Sequence, residues 1–261
     1  MTTIQQLAGI TAQHSEIVKR VANGTLDPDY VKKAYQDIIE KKFATSRALP
    51  SWYMLPERQL EWVKLFNREY GWGFTEMDFP SIPEDFVPRT PTEVLLLNVR
   101  LPKKGKQPGL HRTFDELWNR IQPPNDYTKW RWEQLQATTK LLREAPGSVS
   151  WSTGIHWVAF DPNAYHGLSP QAALKQSNTD GLRLAGTEVL MAALLFPDWI
   201  TSWNGEDSPF PNLSGLQFYY ETGWSDVPYL YRWDGNRRLG LNASWAGNGS
   251  RDWASPSVRE C

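Results

Sequence analysis

The first forty residues show an apolar pattern typical of two amphipathic helices. Apolar residues recur three or four positions apart from Ile4 to Val21, which gives the first helix a single apolar stripe. Asn23-Gly24 accept the left-handed conformation that ends a helix, and Asp27-Pro28 supply an N-cap carboxylate followed by a proline. We predict a helical hairpin over residues 3–42, within an N-terminal domain of residues 1–44.

A hairpin of this size cannot enclose a core of its own, so its stripe must be buried against other residues. Packing on the rest of the chain and binding of a protein partner both meet this requirement, and both interpretations stay open. A DNA-binding helix-turn-helix is less favoured, because the second helix mixes Asp29, Asp37 and Glu40 with its lysines.

The rest of the chain, residues 45–261, alternates between helical and strand patterns. Four prolines between residues 72 and 92 predict a long irregular loop. The 3.6-residue period predicts helices from Pro56 to about Tyr70, behind a capping box at 113–116, over 127–144 and over 182–196. Apolar runs and alternation predict strands over 93–101, 149–160, 216–220, 228–233 and 238–244.

These elements together predict an α+β fold. The N-terminal helical hairpin is followed by a mixed, mainly antiparallel sheet domain with packed helices. Helical patterns are concentrated before residue 145, and the region after residue 197 is rich in Trp, Gly, Asn and Pro. The turn chemistry of Asp234-Gly235-Asn236 predicts a hairpin between the last two predicted strands.

Composition narrows the class of protein. Of the 261 residues, 40% are hydrophobic and 22% are charged, which is ordinary for a globular domain and unlike a disordered chain. The net charge of −1 gives no general attraction to nucleic acid or to an anionic membrane. The longest apolar run is too short for a membrane span, and the first residues lack the basic and apolar pattern of a secretion signal. We expect a cytoplasmic protein without a membrane partner.

Reactive side chains are densest between Gly154 and Ser169. His156, Asp161 and His166 lie at the end of the predicted strand, where scaffolds commonly carry functional groups. A histidine paired with Asp161, or with Glu188 of the following helix, can act in acid–base catalysis. This grouping predicts a hydrolase with His156, Asp161, His166 and Glu188 as candidate catalytic residues.

Two other interpretations of the same segment stay open. Two imidazoles and a carboxylate can bind a catalytic metal, although their spacing matches no standard metal motif and the single cysteine, Cys261, excludes a cysteine cluster. The segment Asp161-Pro162-Asn163 also suits a structural turn in which side chains bind the local backbone. We assign no metal ligand, and the absence of a phosphate loop or dinucleotide motif leaves no predicted cofactor.

Tryptophan is the other unusual feature, with 14 in the chain and several beyond residue 197 among amide and acidic side chains. Such surroundings suit the stacking of sugar rings or bases, whereas large aromatic residues also fill protein cores. Trp245 and Trp253 share this composition. The candidate binding residues are Trp199, Trp203, Trp224, Trp233, Tyr165 and Asn163.

Basic residues give weaker support for nucleic-acid binding. Lys103, Lys104 and Lys106 form a basic loop, but acidic residues dilute the surrounding segment, so binding of nucleic acid is not expected. The leading hypothesis is a binding or interaction protein that uses its aromatic C-terminal region and its N-terminal hairpin. The hydrolase, with or without metal assistance, is the alternative, and the sequence leaves open whether the protein is an enzyme.

Overall fold

A computed structural model describes residues 17–25, 27–29, 31–32, 49–137, 141–146, 153–221 and 223–261. The contacts between residues divide the chain into two units, Met1–Ala48 and Leu49–Cys261.

In the first unit, residues 17–22 are helical and the chain turns at Gly24, whose φ is +67°. Residues 28–29 and 31–32 are helical again, and the Asp27 carboxylate accepts a hydrogen bond from the Asp29 N–H at 2.9 Å. The predicted helix end at Asn23-Gly24 and the predicted start at Asp27-Pro28 agree with these residues. The remainder of the predicted hairpin lies outside the described residues.

The second unit contains both helices and strands. Its α-helices are α1 (Pro56–Tyr70), α2 (Gly109–Arg120), α3 (Glu133–Ala137), α4 (Pro170–Asp180), α5 (Thr187–Leu195) and α6 (Pro197–Ser202). Its strands are β1 (Val94–Arg100), β2 (Thr128–Arg131), β3 (Leu142–Glu144), β4 (Gly154–Asp161), β5 (Arg183–Leu184), β6 (Phe210–Pro211), β7 (Leu216–Tyr220), β8 (Gly223–Trp233), β9 (Arg238–Trp245), β10 (Trp253–Ala254) and β11 (Ser257–Glu260).

The strands form three sheets. A four-stranded sheet in the order β1-β4-β11-β5 is antiparallel throughout. A five-stranded sheet in the order β2-β9-β8-β7-β3 is antiparallel except for the parallel pair β2 and β9, and β6 pairs in parallel with β10. The predicted α+β class with a mixed, mainly antiparallel sheet domain is therefore confirmed.

The free edge of β1 is closed by a side chain. Gln59 of α1 is fully buried, and its amide accepts a hydrogen bond from the Leu97 N–H at 2.8 Å. Its amide nitrogen donates to the carbonyl of Leu95 at 3.0 Å, which replaces the pairing that a neighbouring strand would supply. Pro56 at the start of α1 and the left-handed Gly71 after its end confirm the predicted limits of this helix.

The two large sheets differ in how much of their surface is covered. Nearly every residue of β1 and β4 is buried, so both faces of the four-stranded sheet lie in the core. Helices α1, α2 and α5 all contact β1. In the five-stranded sheet Leu230, Leu239 and Leu241 are fully buried on the inner face, whereas Tyr229 and Tyr231 on the outer face of β8 are partly exposed.

Three predicted helices differ from the structure. Helix α2 begins at Gly109, and Thr113 lies inside it with its hydroxyl accepting from the Leu101 N–H and donating to the Gly109 carbonyl. The predicted helix over 127–144 is replaced by β2, α3 and β3. Strand pairing of β2 with β9 and of β3 with β7 overrides the helical spacing of the apolar residues in this segment. The helix predicted from residue 182 begins at Thr187, because Arg183 and Leu184 pair with β11.

Candidate ligand-binding site

The four predicted catalytic residues do not form one cluster. His156 and Asp161 both lie on β4, but they are five positions apart and therefore point to opposite faces of the sheet. His156 is opposite Asn98 of β1 in the register, and its imidazole folds back over Gly154. A carboxylate on the far side of a strand cannot orient this imidazole.

Asp161 has a structural role in a turn. Its two carboxylate oxygens accept hydrogen bonds from the hydroxyls of Thr90 and Thr92, at 2.7 and 2.6 Å. One of them also accepts from the Asn163 N–H at 3.0 Å, as expected for the structural turn considered from the sequence. Asp161 therefore attaches the proline-rich loop to the end of β4.

Glu188 is buried at the start of α5. Its carboxylate accepts from Arg183 and from the Gly186 N–H, both at 2.8 Å, and from the Asn98 amide at 3.4 Å. Burial opposes ionisation, but the Arg183 guanidinium and these donors hold the pKa of Glu188 below its usual range. Such a carboxylate stays ionised, and its oxygens are already bound by these donors. This arrangement suits an internal ion pair more than proton transfer.

The remaining residues of the predicted cluster lie in the turn after β4. His166 is exposed, and its Nε2 is hydrogen-bonded to the Arg251 carbonyl. The Tyr165 hydroxyl donates to Asp180 at 3.0 Å; burial and this carboxylate raise the pKa of Tyr165. The Asn163 amide donates to the Asp207 carbonyl at 3.2 Å. Within the described ranges, no group of three or more His, Cys, Asp or Glu side chains is placed to hold a metal ion.

Two of the predicted binding tryptophans belong to the core. Trp199 and Trp203 on and after α6 are each 1% exposed, with their rings 5.3 Å apart. Trp199 also contacts Phe160 of the four-stranded sheet, with ring centroids 5.6 Å apart. Neither tryptophan reaches the surface, so the prediction that they contact a ligand is corrected: they fill the space between the sheet and α6.

The other two predicted tryptophans are accessible. Trp233, at the end of β8, is 59% exposed, and its ring lies 6.5 Å from that of Tyr231. Trp224, at the start of β8, is half-buried between Tyr219 and Arg143, whose guanidinium lies 4.2 Å from the ring centroid. Only Trp233 is part of a larger exposed aromatic group.

That group lies on the outer face of the five-stranded sheet. Tyr229, Tyr231 and Trp233 alternate along β8, so their side chains share this face, with ring centroids 5.7 and 6.5 Å apart. Trp130 of β2 lies 6.5 Å from Tyr231, and Trp253 of β10 lies 4.5 Å from Tyr229. We call these five residues the aromatic face.

Gly240 makes the flat position of Tyr231 possible. The two residues are opposite each other in β9 and β8, and a Cβ on Gly240 would lie 2.2 Å from the Tyr231 ring. The ring therefore lies directly on the backbone of the neighbouring strand, with its other side directed away from the sheet.

A cleft adjoins one end of the aromatic face. Its volume is about 180 Å³, and it is lined by Asn212, Tyr229, Ser244, Asn248, Gly249, Ser250 and Trp253. None of these side chains carries a formal charge, and five of them have an amide or hydroxyl group. A tyrosine hydroxyl is protonated at neutral pH, and burial raises the pKa of Tyr229 further, so this hydroxyl can donate a hydrogen bond.

Asn212 is the most enclosed polar residue of the cleft. Only 5% of its surface is exposed, yet its side chain makes no hydrogen bond to the residues that the structure describes. Its backbone is held by the Ala254 carbonyl, which accepts from the Asn212 N–H at 2.8 Å. A fixed amide with unused hydrogen-bonding capacity is a strong point of attachment for a polar ligand.

The turn after β4 supports the wall of this cleft. The His166 contact with Arg251, and a 2.8 Å hydrogen bond from the Gly167 N–H to the Trp253 carbonyl, position the segment before β10. The Gln171 N–H donates to the Ala246 carbonyl at 2.9 Å on the other side of the same loop. The segment that the sequence singled out therefore supports the candidate site without lining it.

Most of the aromatic face was not among the residues predicted from the sequence. Tyr229, Tyr231 and Trp233 occupy every second position of β8, and this period-two pattern was available from the sequence. The contribution of Trp130 was hidden by the wrong helix over 127–144. No family model, curated protein or solved structure matches the chain.

Proposed function

We propose that this protein is a binding protein whose ligand lies on the aromatic face and enters the adjoining cleft. The observation that carries this proposal is the row formed by Tyr229, Tyr231 and Trp233, whose rings are partly exposed beside a cavity of about 180 Å³. A row of accessible rings with polar groups beside it offers affinity through aromatic contact and orientation through hydrogen bonding.

The contacts of the predicted catalytic residues support binding more than hydrolysis. Asp161 and Glu188 are each saturated by internal donors, and His156 lies on the opposite face of β4 from Asp161. A general base needs a carboxylate or imidazole within reach of a bound substrate, and the lining of the cleft, as far as the structure describes the chain, contains neither group. We therefore put the hydrolase second.

The test is direct observation of the accessible indoles by NMR on the full chain labelled with ¹⁵N-tryptophan. The probes are methyl β-glucopyranoside, thymidine and N-acetyl-tyrosinamide, which represent a sugar, a base and a protein side chain. At least one probe is expected to shift the indole resonances of Trp233 and Trp253. Trp62 on α1, which is 38% exposed, serves as the control. If no probe shifts these resonances, or if Trp62 shifts equally, the proposal is wrong.

Two coarser features accompany this proposal. In the described parts of the chain no helix is long and apolar enough to cross a membrane. We infer a cytoplasmic location from the single cysteine, Cys261, since secreted domains more often carry disulfides.

The N-terminal hairpin would contribute a protein contact through its apolar stripe, in which Val18 is 53% exposed.

A further inference from the structure

We infer that the ligand is a neutral oligosaccharide, with one sugar unit in the cleft and the following units along the aromatic face. This inference rests on the proposed binding function and names its ligand class. A sugar ring combines an apolar face of C–H groups with an edge of hydroxyl groups. It therefore needs a flat aromatic surface and neutral hydrogen-bonding partners in the same place.

The cleft offers this combination. Tyr229 and Trp253 meet edge to face, with an interplanar angle of 84°, so that two aromatic surfaces border the same space. Asn212 and Asn248 each present a group that donates and accepts, and Ser244 and Ser250 add hydroxyls. A hydroxyl of a sugar also donates and accepts, so it can complete the bonding of the Asn212 amide in either orientation.

The aromatic face continues the site along β8. The rings of Tyr229, Tyr231 and Trp233 follow one another at 5.7 and 6.5 Å, and they define a path away from the cleft along the strand. A ligand that occupies both the cleft and this path must be extended and must present a ring at successive positions. An oligosaccharide chain has this form.

Charge argues against an anionic ligand such as a nucleic acid. Among the described residues that line the cleft there is no lysine or arginine. Arg232 of β8 is bound to Asp234 and to the carbonyls of Ile200 and Thr201, and Arg238 lies 5.5 Å from the ring of Trp130. Binding along a phosphate backbone draws most of its affinity from cations that follow the strand, and the described residues of the aromatic face and the cleft form no such row.

The experiment is isothermal titration of the full chain with defined probes. The neutral probes are cellohexaose, chitohexaose, maltohexaose and mannohexaose, and the anionic probes are a heparin hexasaccharide and a ten-nucleotide oligothymidylate. We expect at least one neutral hexasaccharide to bind, with affinity nearly unchanged between about 50 mM and about 500 mM NaCl, since no counterions are released.

Variants connect the binding to the site. Trp233→Ala and Trp253→Ala are each expected to weaken binding about tenfold or more, the effect of losing one stacked ring. Trp253→Phe keeps an aromatic ring and should retain most of the affinity. It therefore tests the role of the ring even if Trp253→Ala disturbs the local fold. Trp62→Ala, on α1, is the matched control and should leave the affinity unchanged.

The outcomes separate the inference from the proposed function. One outcome is that an anionic probe binds, that Trp233→Ala weakens this binding, and that no neutral hexasaccharide binds. In that case the inferred ligand class is wrong, and the proposed binding function still holds. If no hexasaccharide binds, or if Trp62→Ala weakens binding as much as Trp233→Ala, the inference is overturned. The indole measurements described above then decide whether the binding function fails with it.

Discussion

The two large sheets of this protein differ in where they place aromatic and polar side chains, which are buried in one sheet and partly exposed in the other. The strands β1 and β4 of the four-stranded sheet are buried on both faces, and the Asp161 carboxylate at the end of β4 is bound by internal partners. The five-stranded sheet has a buried inner face, and its outer face presents the partly exposed rings of Tyr229, Tyr231 and Trp233 beside the amide and hydroxyl groups of the cleft. A residue type therefore predicts a role only when the covering of its face is known.

Tryptophan makes this contrast measurable. Trp199 lies between Phe160 and Trp203 in the core, whereas Trp233 is largely exposed and its ring lies beside that of Tyr231. Trp199→Ala is expected to lower the free energy of unfolding by about 3–5 kcal/mol, because it removes a large buried ring. Trp233→Ala should change it by less than about 0.5 kcal/mol. Urea denaturation followed by circular dichroism measures both; similar losses for the two variants would contradict the comparison.

The buried ion pair of the covered side gives the second prediction. Glu188→Gln leaves the Arg183 charge in the interior without its carboxylate, and we expect a loss of roughly 3 kcal/mol at neutral pH. The matched control is Glu61→Gln, which breaks an exposed pair whose two side chains are each 64% exposed. That change should cost less than about 0.5 kcal/mol.

The same pair predicts a pH dependence. Because the pKa of Glu188 is lowered in the folded state, its contribution to stability is complete above the ordinary carboxyl pKa of about 4.3. It is lost as the pH falls from there through the lower folded-state pKa. The difference in stability between the wild type and Glu188→Gln should therefore shrink below about pH 4. A difference that stays constant from neutral to acid pH would exclude Glu188 as its source.

Gly240 tests whether the open face is packed like a core. Gly240→Ala places a methyl group against the Tyr231 ring, which is partly exposed and can therefore rotate outward. We expect a loss of only about 1 kcal/mol, together with weaker ligand binding, because the aromatic row is disrupted. Gly223→Ala, at a position in the same sheet with no neighbouring atom within 4 Å of the added carbon, is the control. A loss above about 3 kcal/mol for Gly240→Ala would mean that this face is rigidly packed.

Lys129 reports on the covered face of the five-stranded sheet. Its amine lies 4.7 Å from the Trp118 ring centroid and donates to the Ile121 carbonyl; burial, and secondly Arg120, lower its pKa to about 8. Acylation of Lys129 by acetic anhydride, followed by mass spectrometry, should rise with a midpoint near pH 8. Lys103, in the exposed loop after β1, is the internal reference. A midpoint for Lys129 that coincides with that of Lys103 would contradict its burial.

Lys129 also predicts a small effect on stability. A lysine with a lowered folded-state pKa binds fewer protons in the folded than in the unfolded chain between about pH 8 and about pH 10.4. Stability should therefore rise with pH in this window, and Lys129→Met should remove that rise. Denaturation curves at the two ends of the window measure the effect, and an unchanged slope in the variant would assign it to another group.

Local patterns predicted those elements whose signals are complete within a short segment. Pro56 and Gly71 gave the correct limits of α1, and the turn at Asp234-Gly235-Asn236 connects β8 and β9 as expected. The separation of His156 and Asp161 could also have been interpreted correctly from the sequence. An odd separation on a strand places two side chains on opposite faces of the sheet. The predicted catalytic grouping overlooked that rule.

The sequence by itself therefore determined the α+β class and the strand-rich, aromatic C-terminal region, and its period-two pattern contained the shared face of Tyr229, Tyr231 and Trp233 although the prediction did not use it. The tertiary structure alone decided that β2 is a strand, because its partner β9 follows more than one hundred residues later. It also decided that Trp199 and Trp203 are core residues while Trp130 and Trp253 belong to the open face. The physical reason is that short-range periodicity shows which side chains share a face, whereas burial depends on which distant element covers it.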